Sequence, residues 1–465
     1  MNFSDKGVLK MAKFTIKNIF KRTSRSLCLP MLALTACNPS SSTGMVSEAT
    51  NDPYSAVSNK TYPVDTETLG LTVDENGTIL LAGKPYYAFG VNSFTLVIRY
   101  IEGAGESMYR DQFALLKKYN IPFIRVNFGG YWHDYYKKFD SDPASVLKCM
   151  HDVVKCAEEY NIGLICSLLW YDPSISTYVG EHRSDMGNIN SKTVKYATEY
   201  VSKIVSEFKD SPAVWAWEIG NEYNLDSDLC DPQYQSRLPV GPCTPQNPSG
   251  YDFYTSEELR IFYTAVGNAI REQDQTRMIS TGNGDMRNAS KALHKATAKM
   301  NPDTHLWTED WKQDTIEEFY EMCAYFTPDP LDTICFHLQH AQRDENGEAS
   351  FLVMLDRFGS KVSTLKYFKE YVNAAKKAKK ALYFGEMGDM TWMEDHENAA
   401  SIFENVTDWI MDAGIQLASS WQFRVNDLKA TDQGIDGEKL TILQKKNQKY
   451  IDEGKADTVI YWSNK

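Results

Sequence analysis

AVWAWEIGNE (213–222) is an apolar run that stops on two polar residues, Asn221 and Glu222. Its apolar positions are continuous rather than alternating, as in a strand of a parallel sheet buried on both faces. Seven other short runs share this character: YYAFGVN (86–92), PFIRVNF (122–128), GLICSLLW (163–170), RMISTGN (277–283), TICFHL (333–338), ALYFGEM (381–387) and IQLASSW (415–421). Stretches of helical period lie between them, among them ESMYRDQFALLKKYN (106–120), SVLKCMHDVVKCAEEYN (145–161) and SEELRIFYTAVGNAIREQD (256–274). Eight alternating units predict an α/β fold, a (β/α)8 TIM barrel spanning 66–465. The competing arrangement, an open doubly wound sheet, lacks its usual marks, since no GxGxxG or GxxxxGK[ST] opens a helix. LTVDENGTILLAGKPYYAFGVN (71–92), with turn signals at Asn76-Gly77 and Gly83-Lys84, predicts an N-terminal β-hairpin. The main insertion is the loop 223–255 after strand four.

The chain has 465 residues, 42% of them hydrophobic and 24% charged, which is enough apolar material for a large core. Residues 1–37 carry seven basic and one acidic residue out of 49 and 62. The remainder holds 42 against 61, a net charge of −19. Such a surface repels phosphate backbones and polyanions, so nucleic acid is excluded as a partner and neutral ligands are not. Aromatic residues reach 12%, with Trp 10 and Tyr 27, which suits the stacking of flat ligands.

The first 37 residues read as a leader. Basic residues extend to Arg25, and the apolar run Leu27 to Ala36 is too short to span a bilayer. Leu34-Thr35-Ala36-Cys37 resembles a bacterial lipobox, which implies lipidation of Cys37, export and anchoring in the cell envelope; a plain signal peptide is the alternative. Residues 38–65, rich in Ser, Thr, Asn and Pro, read as a flexible tether. Membrane contact would run only through the N-terminal lipid.

Cys149, Cys156, Cys166, Cys323 and Cys335 sit among apolar residues and read as buried thiols, whereas Cys230 and Cys243 bracket a loop and are a candidate disulfide. His337 and His340 lack neighbouring ligands, so neither a metal nor a cofactor is expected.

In a barrel, chemistry sits at the C-terminal ends of the strands. The polar residues there are Arg125 and Asn127, Asn221 and Glu222, His337, Glu386 and Trp421. Two carboxylates facing each other across a sugar are what glycosidic cleavage requires, one protonated and one ionised. A neighbouring arginine favours the ionised form, which makes Arg125 the candidate partner of the nucleophile. Asn221 can hydrogen-bond a sugar hydroxyl, and Trp421 offers a flat face. For His337 the bland alternative is a structural histidine. Trp170, Trp307, Trp311 and Trp392 are either sugar platforms or core. Glu309-Asp310 reads as a solvated loop and AAKKAKKA (374–381) as an exposed helix face.

WAWEIGNE (215–222) with YFGEMG (383–388) resembles the clan A glycoside hydrolases, especially family 5, the cellulase and mannanase family, over roughly residues 66–425. The resemblance implies a retaining β-glycoside hydrolase with Glu222 as acid/base and Glu386 as nucleophile, the two carboxyls about 5–5.5 Å apart. It also implies substrate-binding roles for Arg125, Asn221, His337 and Trp421. The expected substrate is a neutral β-linked polysaccharide or oligosaccharide, with endo-β-1,4-mannanase first and β-1,4-glucanase second. A transglycosylase and a non-catalytic glycan-binding lipoprotein are the other readings. Two positions depart from the family pattern. Strand three ends Leu168-Leu169-Trp170 where many members carry His, and the absence of that His resembles the mannanase branch more than the cellulase branch. Gln339 stands where many have Tyr, which leaves Tyr171 or Tyr131 as substitutes.

Overall fold

Leu71, Ile79 and Tyr86 are fully or almost fully buried although they precede the first long strand. The computed structural model describes residues 70–230, 249–338, 342–343, 349–350, 363–388, 399–423 and 437–456. The leader with Cys37, the tether 38–65, Cys243, Gln339, His340 and Trp392 lie outside these residues, so the Cys230–Cys243 pairing does too.

Three short antiparallel strands come first: β1 (Leu71–Val73), β2 (Ile79–Leu81) and β3 (Lys84–Pro85). Eight parallel strands then close on themselves. They are β4 (Ala88–Ser93), β5 (Phe123–Asn127), β6 (Gly163–Leu169), β7 (Val214–Gly220), β8 (Met278–Ser280), β9 (Thr333–Leu338), β12 (Ala381–Met387) and β13 (Leu417–Ser420). The closed order is β12-β13-β4-β5-β6-β7-β8-β9. A small ladder, β10 (Gln342–Arg343) with β11 (Ala349–Ser350), follows β9. This is the (β/α)8 barrel with its N-terminal hairpin that the sequence predicts, and each barrel strand overlaps its predicted run. Part of the insertion after strand four, residues 231–248, lies outside the described residues.

Alternation along β5 shows how one strand serves two layers. Phe123 joins the barrel interior, Ile124 and Val126 pack outward against the helices, and Arg125 and Asn127 return inward. The interior is stratified along the barrel axis. Its lower layer is apolar: Phe123, Ile165, Trp215, Met278, Tyr383 and Leu417, with Leu71, Ile79 and Tyr86 of the hairpin region in the same cluster. Each such side chain contributes roughly 1.5–3 kcal/mol by leaving water. The hairpin therefore seals the N-terminal end of the barrel and leaves the C-terminal rim open.

The outer helices are fixed by local sequence. Pro143 begins Pro143–Tyr160, where the Asp142 side chain accepts from the Ser145 N–H at 3.1 Å. Thr255 and Glu258 form a reciprocal capping box at the start of Ser256–Gln273, each side chain bonding the other's backbone N–H. Just past that helix, Asp274 accepts from the Trp217 indole at 2.9 Å and from Arg277 at 2.6 Å, which locks β7 against its helix.

Gly163 opens β6 against the ring of Trp215, where a Cβ would stand 2.0 Å from Cδ2. Overpacking of this kind typically costs about 1–3 kcal/mol. Gly163→Ala is accordingly expected to lower the unfolding free energy by that amount, seen as a lower urea midpoint with an unchanged slope; a midpoint equal to that of the parent contradicts the packing described.

Candidate active site

Arg125 is a permanently charged side chain with no exposed surface, so its donors need anionic or polar acceptors. Four residues from three other strands or strand ends supply them. Nη1 donates to Asn92 Oδ1 at 3.0 Å on β4 and to Glu386 Oε1 at 2.7 Å on β12. Nη2 donates to Asn221 Oδ1 at 2.9 Å, just past β7. Nε lies 2.8 Å and Nη2 2.6 Å from Oε1 of Glu218, inside β7. The guanidinium also lies over the Trp170 ring, 4.6 Å from its centroid, a cation–π contact in a desolvated place. Burial opposes the charge of Arg125, and Glu218 and Glu386 more than offset it.

Glu386 reaches this position through a break in alternation. Ala381 and Tyr383 of β12 face the interior, while Leu382 and Phe384 face the helices. Strict alternation would send residue 386 outward. Instead the register with β9 slips: Phe384 pairs with Phe336 and Glu386 with His337, leaving Gly385 as an extra residue. Such bulges re-aim side chains beside active sites. Only glycine fits here, since a Cβ at 385 would stand 2.6 Å from His337 Nε2 and 2.7 Å from Cys335 Sγ. The Gly385 carbonyl is held by Asn92 Nδ2 at 3.0 Å and by the Ser419 hydroxyl at 2.6 Å.

Glu222 sits two residues beyond β7 in a left-handed backbone conformation, φ +59°. That conformation is uncommon for a residue with a side chain and costs energy that the surroundings must supply. Its N–H is tied to the Gly282 carbonyl at 2.8 Å. The carboxylate Oε1 lies 3.1 Å from His337 Nδ1, and the same nitrogen is 3.7 Å from Glu386 Oε1. One donor atom each of Glu222, His337 and Glu386 all lie within 4.8 Å of one another. The two carboxyls thus have the close spacing of retaining chemistry, not the roughly 6.5–9.5 Å of the inverting kind. The trio also has the spacing of metal ligands, but the Arg125 guanidinium at 2.7 Å from Glu386 repels a second cation there.

The environments of the two carboxyls differ. Burial pushes Glu222 up to about 7, with Arg125 opposing and Asp226 adding to the rise. Burial also raises Glu386, against the downward pull of His337 and Arg125. Burial drives His337 down to about 4 despite the attraction of Glu386, so it is a neutral imidazole near pH 7. Glu222 keeps 28% of its side chain exposed, whereas Glu386 keeps 2%. A protonated acid facing the opening and an arginine-held carboxylate behind it are the two elements that glycosidic cleavage needs.

Aromatic rings line the approach. Trp170 and Trp421 stack at 6.3 Å and 28°, and Phe94 touches both. Tyr131 and Tyr171, the candidate substitutes for the missing tyrosine, lie 6.0 Å apart and both pack on Trp132.

The structure brings Arg125, Asn221, Glu222, His337 and Glu386 into one network of contacts, with Trp421 reached through Trp170. Asn221 gives its oxygen to Arg125, so only its amide nitrogen remains for a ligand. Trp307 belongs to a buried cluster with Phe253, and Trp311 is 52% exposed. Glu309 is not simply solvated: its two oxygens accept from the Cys230 N–H at 2.8 Å and the Trp311 indole at 2.7 Å. Sequence reasoning missed Asn92, Glu218 and Gly385. Glu218 left a signal, a lone carboxylate in the middle of an apolar run.

Residues 82–427 match the family model described as Cellulase (glycosyl hydrolase family 5). Mannan endo-1,4-beta-mannosidase F of Aspergillus clavatus is 32% identical over 84 residues, 17% of this chain and 19% of its own. The probable mannan endo-1,4-beta-mannosidase F of Aspergillus flavus is 32% identical over 83 residues, 16% and 18% of the two chains. The matched stretch thus spans less than a fifth of these curated relatives. Among solved structures, the endo-1,4-beta-mannanase of Rhizomucor miehei superposes with a TM-score of 0.55 at 16% identity, covering 82% of this chain and 99% of that one. The endo-beta-1,4-mannanase of Thermotoga petrophila gives 0.53 at 14%, covering 80% and 78%. At these identities the likeness shows the shared fold.

Because Gly385 re-aims Glu386, Gly385→Ala is expected to leave the barrel folded and to lower kcat on any cleaved glycan by roughly 10²-fold, the effect of an ångström-scale misplacement. Far-ultraviolet circular dichroism with steady-state kinetics checks both parts, and unchanged kcat contradicts the role given to the bulge.

Proposed function

The chain belongs to glycosyl hydrolase family 5, a family of retaining glycoside hydrolases, and from that premise we propose that it is an endo-β-1,4-mannanase-like enzyme acting on a neutral β-linked glycan. The observation that carries the mechanism is Arg125, buried and bound to one of two facing carboxyls, with the other raised toward neutral pH. In the first step Glu386 attacks the anomeric carbon. The bond to the leaving oxygen breaks, and that oxygen takes the Glu222 proton. Glu386 is then a neutral ester, and the negative charge sits on Glu222. In the second step Glu222 removes a proton from water, and the resulting oxygen displaces Glu386 from the sugar. Neutral His337 bonds Glu222 without adding charge, and Trp421 with Trp170 supports a sugar ring by stacking.

Two things support mannan over other sugars. The mannosidase and mannanase names of the relatives and structural neighbours point that way. Strand three ends without histidine, at Leu168-Leu169-Trp170. The net negative surface suits an uncharged polymer, mannan or glucan alike, over a polyanionic one. For cellular place, the basic leader followed by a short apolar run and Cys37 supports export with lipid attachment at Cys37. Replacement of Cys37 by Ser should then release the protein from the membrane fraction.

The direct test incubates the protein with β-mannan, β-glucan and β-xylan beside Glu386→Ala. Release of reducing ends from mannan, lowered by on the order of 10³-fold or more in the variant, is the expected result. Preference for glucan would overturn the mannan assignment, and a variant as active as the parent would overturn the nucleophile. The pH profile follows from the protonation each role requires. Glu222 must hold its proton for the first step, so kcat/KM should fall as pH rises through about 7. Glu386 must be ionised, so the acid limb should lie above the usual carboxylate range. Glu222→Gln should lose kcat by about 10²–10⁴-fold and lack the basic limb; persistence of that limb in the variant contradicts Glu222 as the acid.

A further inference from the structure

Two carboxylates serve the chemistry above, and a third lies in the same chamber with no exposed surface. Glu218 sits inside β7, in register with Ser167 of β6 and Ser280 of β8. Its Oε1 takes the Nε–Nη2 edge of Arg125, while Nη1 of the same guanidinium serves Glu386. Its Oε2 has no hydrogen-bond partner among the described residues. The backbone at Gly282 presses against it, so close that a Cβ there would stand 2.8 Å from the Glu218 carboxyl carbon. The carboxylate is thus clamped against Arg125.

The other titratable groups whose fields involve Glu218 are Cys166 on β6, Tyr263 on the helix Ser256–Gln273, Cys335 and His337 on β9, and Tyr383 on β12. Burial pushes the thiols and phenols up and the imidazole down, so all are neutral near pH 7. The charge that Glu218 meets is that of Arg125.

We infer that Glu218 is a positioning residue, a fixed counter-charge that keeps Arg125 paired when the charge of Glu386 is consumed in the covalent step. The inference rests on Glu386 being the nucleophile. Before attack, Arg125 is shared between two carboxylates. Attack forms the bond from a Glu386 oxygen to the anomeric carbon. The electron pair of the breaking bond goes to the leaving oxygen, which takes the Glu222 proton. The lost charge reappears on Glu222, beside His337 and away from the Arg125 contact at 2.7 Å. A buried guanidinium stripped of every anion is strongly disfavoured. Glu218 takes no part in the bond changes and remains its partner throughout. By occupying the Nε–Nη2 edge it also limits the hold of Arg125 on Glu386, which keeps the nucleophile from being over-stabilised.

The sign of one shift separates this role from plain packing support. Removing the Glu218 charge leaves Arg125 to Glu386 alone, so Glu386 should ionise at lower pH. A merely structural loss would loosen Arg125 and move Glu386 the other way. The experiment titrates the full-length protein carrying carbon-13-carboxyl glutamate by NMR, with the Glu386 resonance assigned by its absence in Glu386→Gln. Glu218→Gln should lower the Glu386 midpoint by about one pH unit and cut kcat/KM on an aryl β-mannooligosaccharide by roughly tenfold or more. Glu218→Asp, which keeps the charge, should titrate like the parent; it also serves alone should the Gln variant fail to fold. An unchanged or raised midpoint in Glu218→Gln, or an equal fall in Glu218→Asp, overturns the inference. The titration needs no substrate, so a wrong sugar assignment leaves it readable. A wrong nucleophile shows separately, as an active Glu386→Gln.

Discussion

One buried guanidinium organises this molecule. Arg125 has no exposed surface, and its cost in a dry interior is met by acceptors on β4, β7 and its end, and β12. Any barrel closure that misaligned those strands would leave a charge unpaired, so the fold and the site are coupled through it. The apolar layer of Trp215, Phe123 and Tyr383 beneath gives the barrel its stability, and the Arg125 layer above is where that stability is spent on position.

From that constraint the difference between the two outer carboxyls follows. Glu386 is pinned by Arg125 and almost closed to water. Glu222 lies across from it on a left-handed residue and meets a neutral imidazole, with part of its surface open. Equal chemical groups thereby acquire unequal proton affinities, which is what acid and nucleophile require of a pair. The aromatic wall of Trp170, Trp421 and Phe94 joins the same system, since Trp170 is both the stacking partner of Trp421 and the face against Arg125.

The barrel was legible because its strands are short apolar runs with polar ends, a pattern set by burial on both faces; TICFHL and ALYFGEM coincide with β9 and β12. The polar ends pointed to Arg125, Glu222, His337 and Glu386, which do meet. What stayed hidden depended on exceptions to alternation or on competition for one donor. Gly385 is the extra residue that turns Glu386 inward, and a bulge of this kind leaves no mark in the apolar pattern. Glu218 was masked by the apolar residues around it, because a continuous apolar run marks a buried strand without naming the partner of a polar residue inside it. The bond from Arg125 to the Asn221 oxygen, which leaves the amide nitrogen for a ligand, is a contact between strand ends that sequence spacing does not encode. Glu309 read as a solvated loop and in fact ties Cys230 to Trp311, because loop-to-loop contacts carry no periodic signal.

The central claim is that Glu386, held by Arg125, forms the bond to the sugar. It is tested most directly by trapping: the enzyme is incubated with a 2-deoxy-2-fluoro-β-mannosyl fluoride and the labelled peptide is located by mass spectrometry. A stoichiometric adduct on Glu386 is the predicted result. An adduct on another carboxylate, or turnover with inverted anomeric configuration and no adduct, would contradict it.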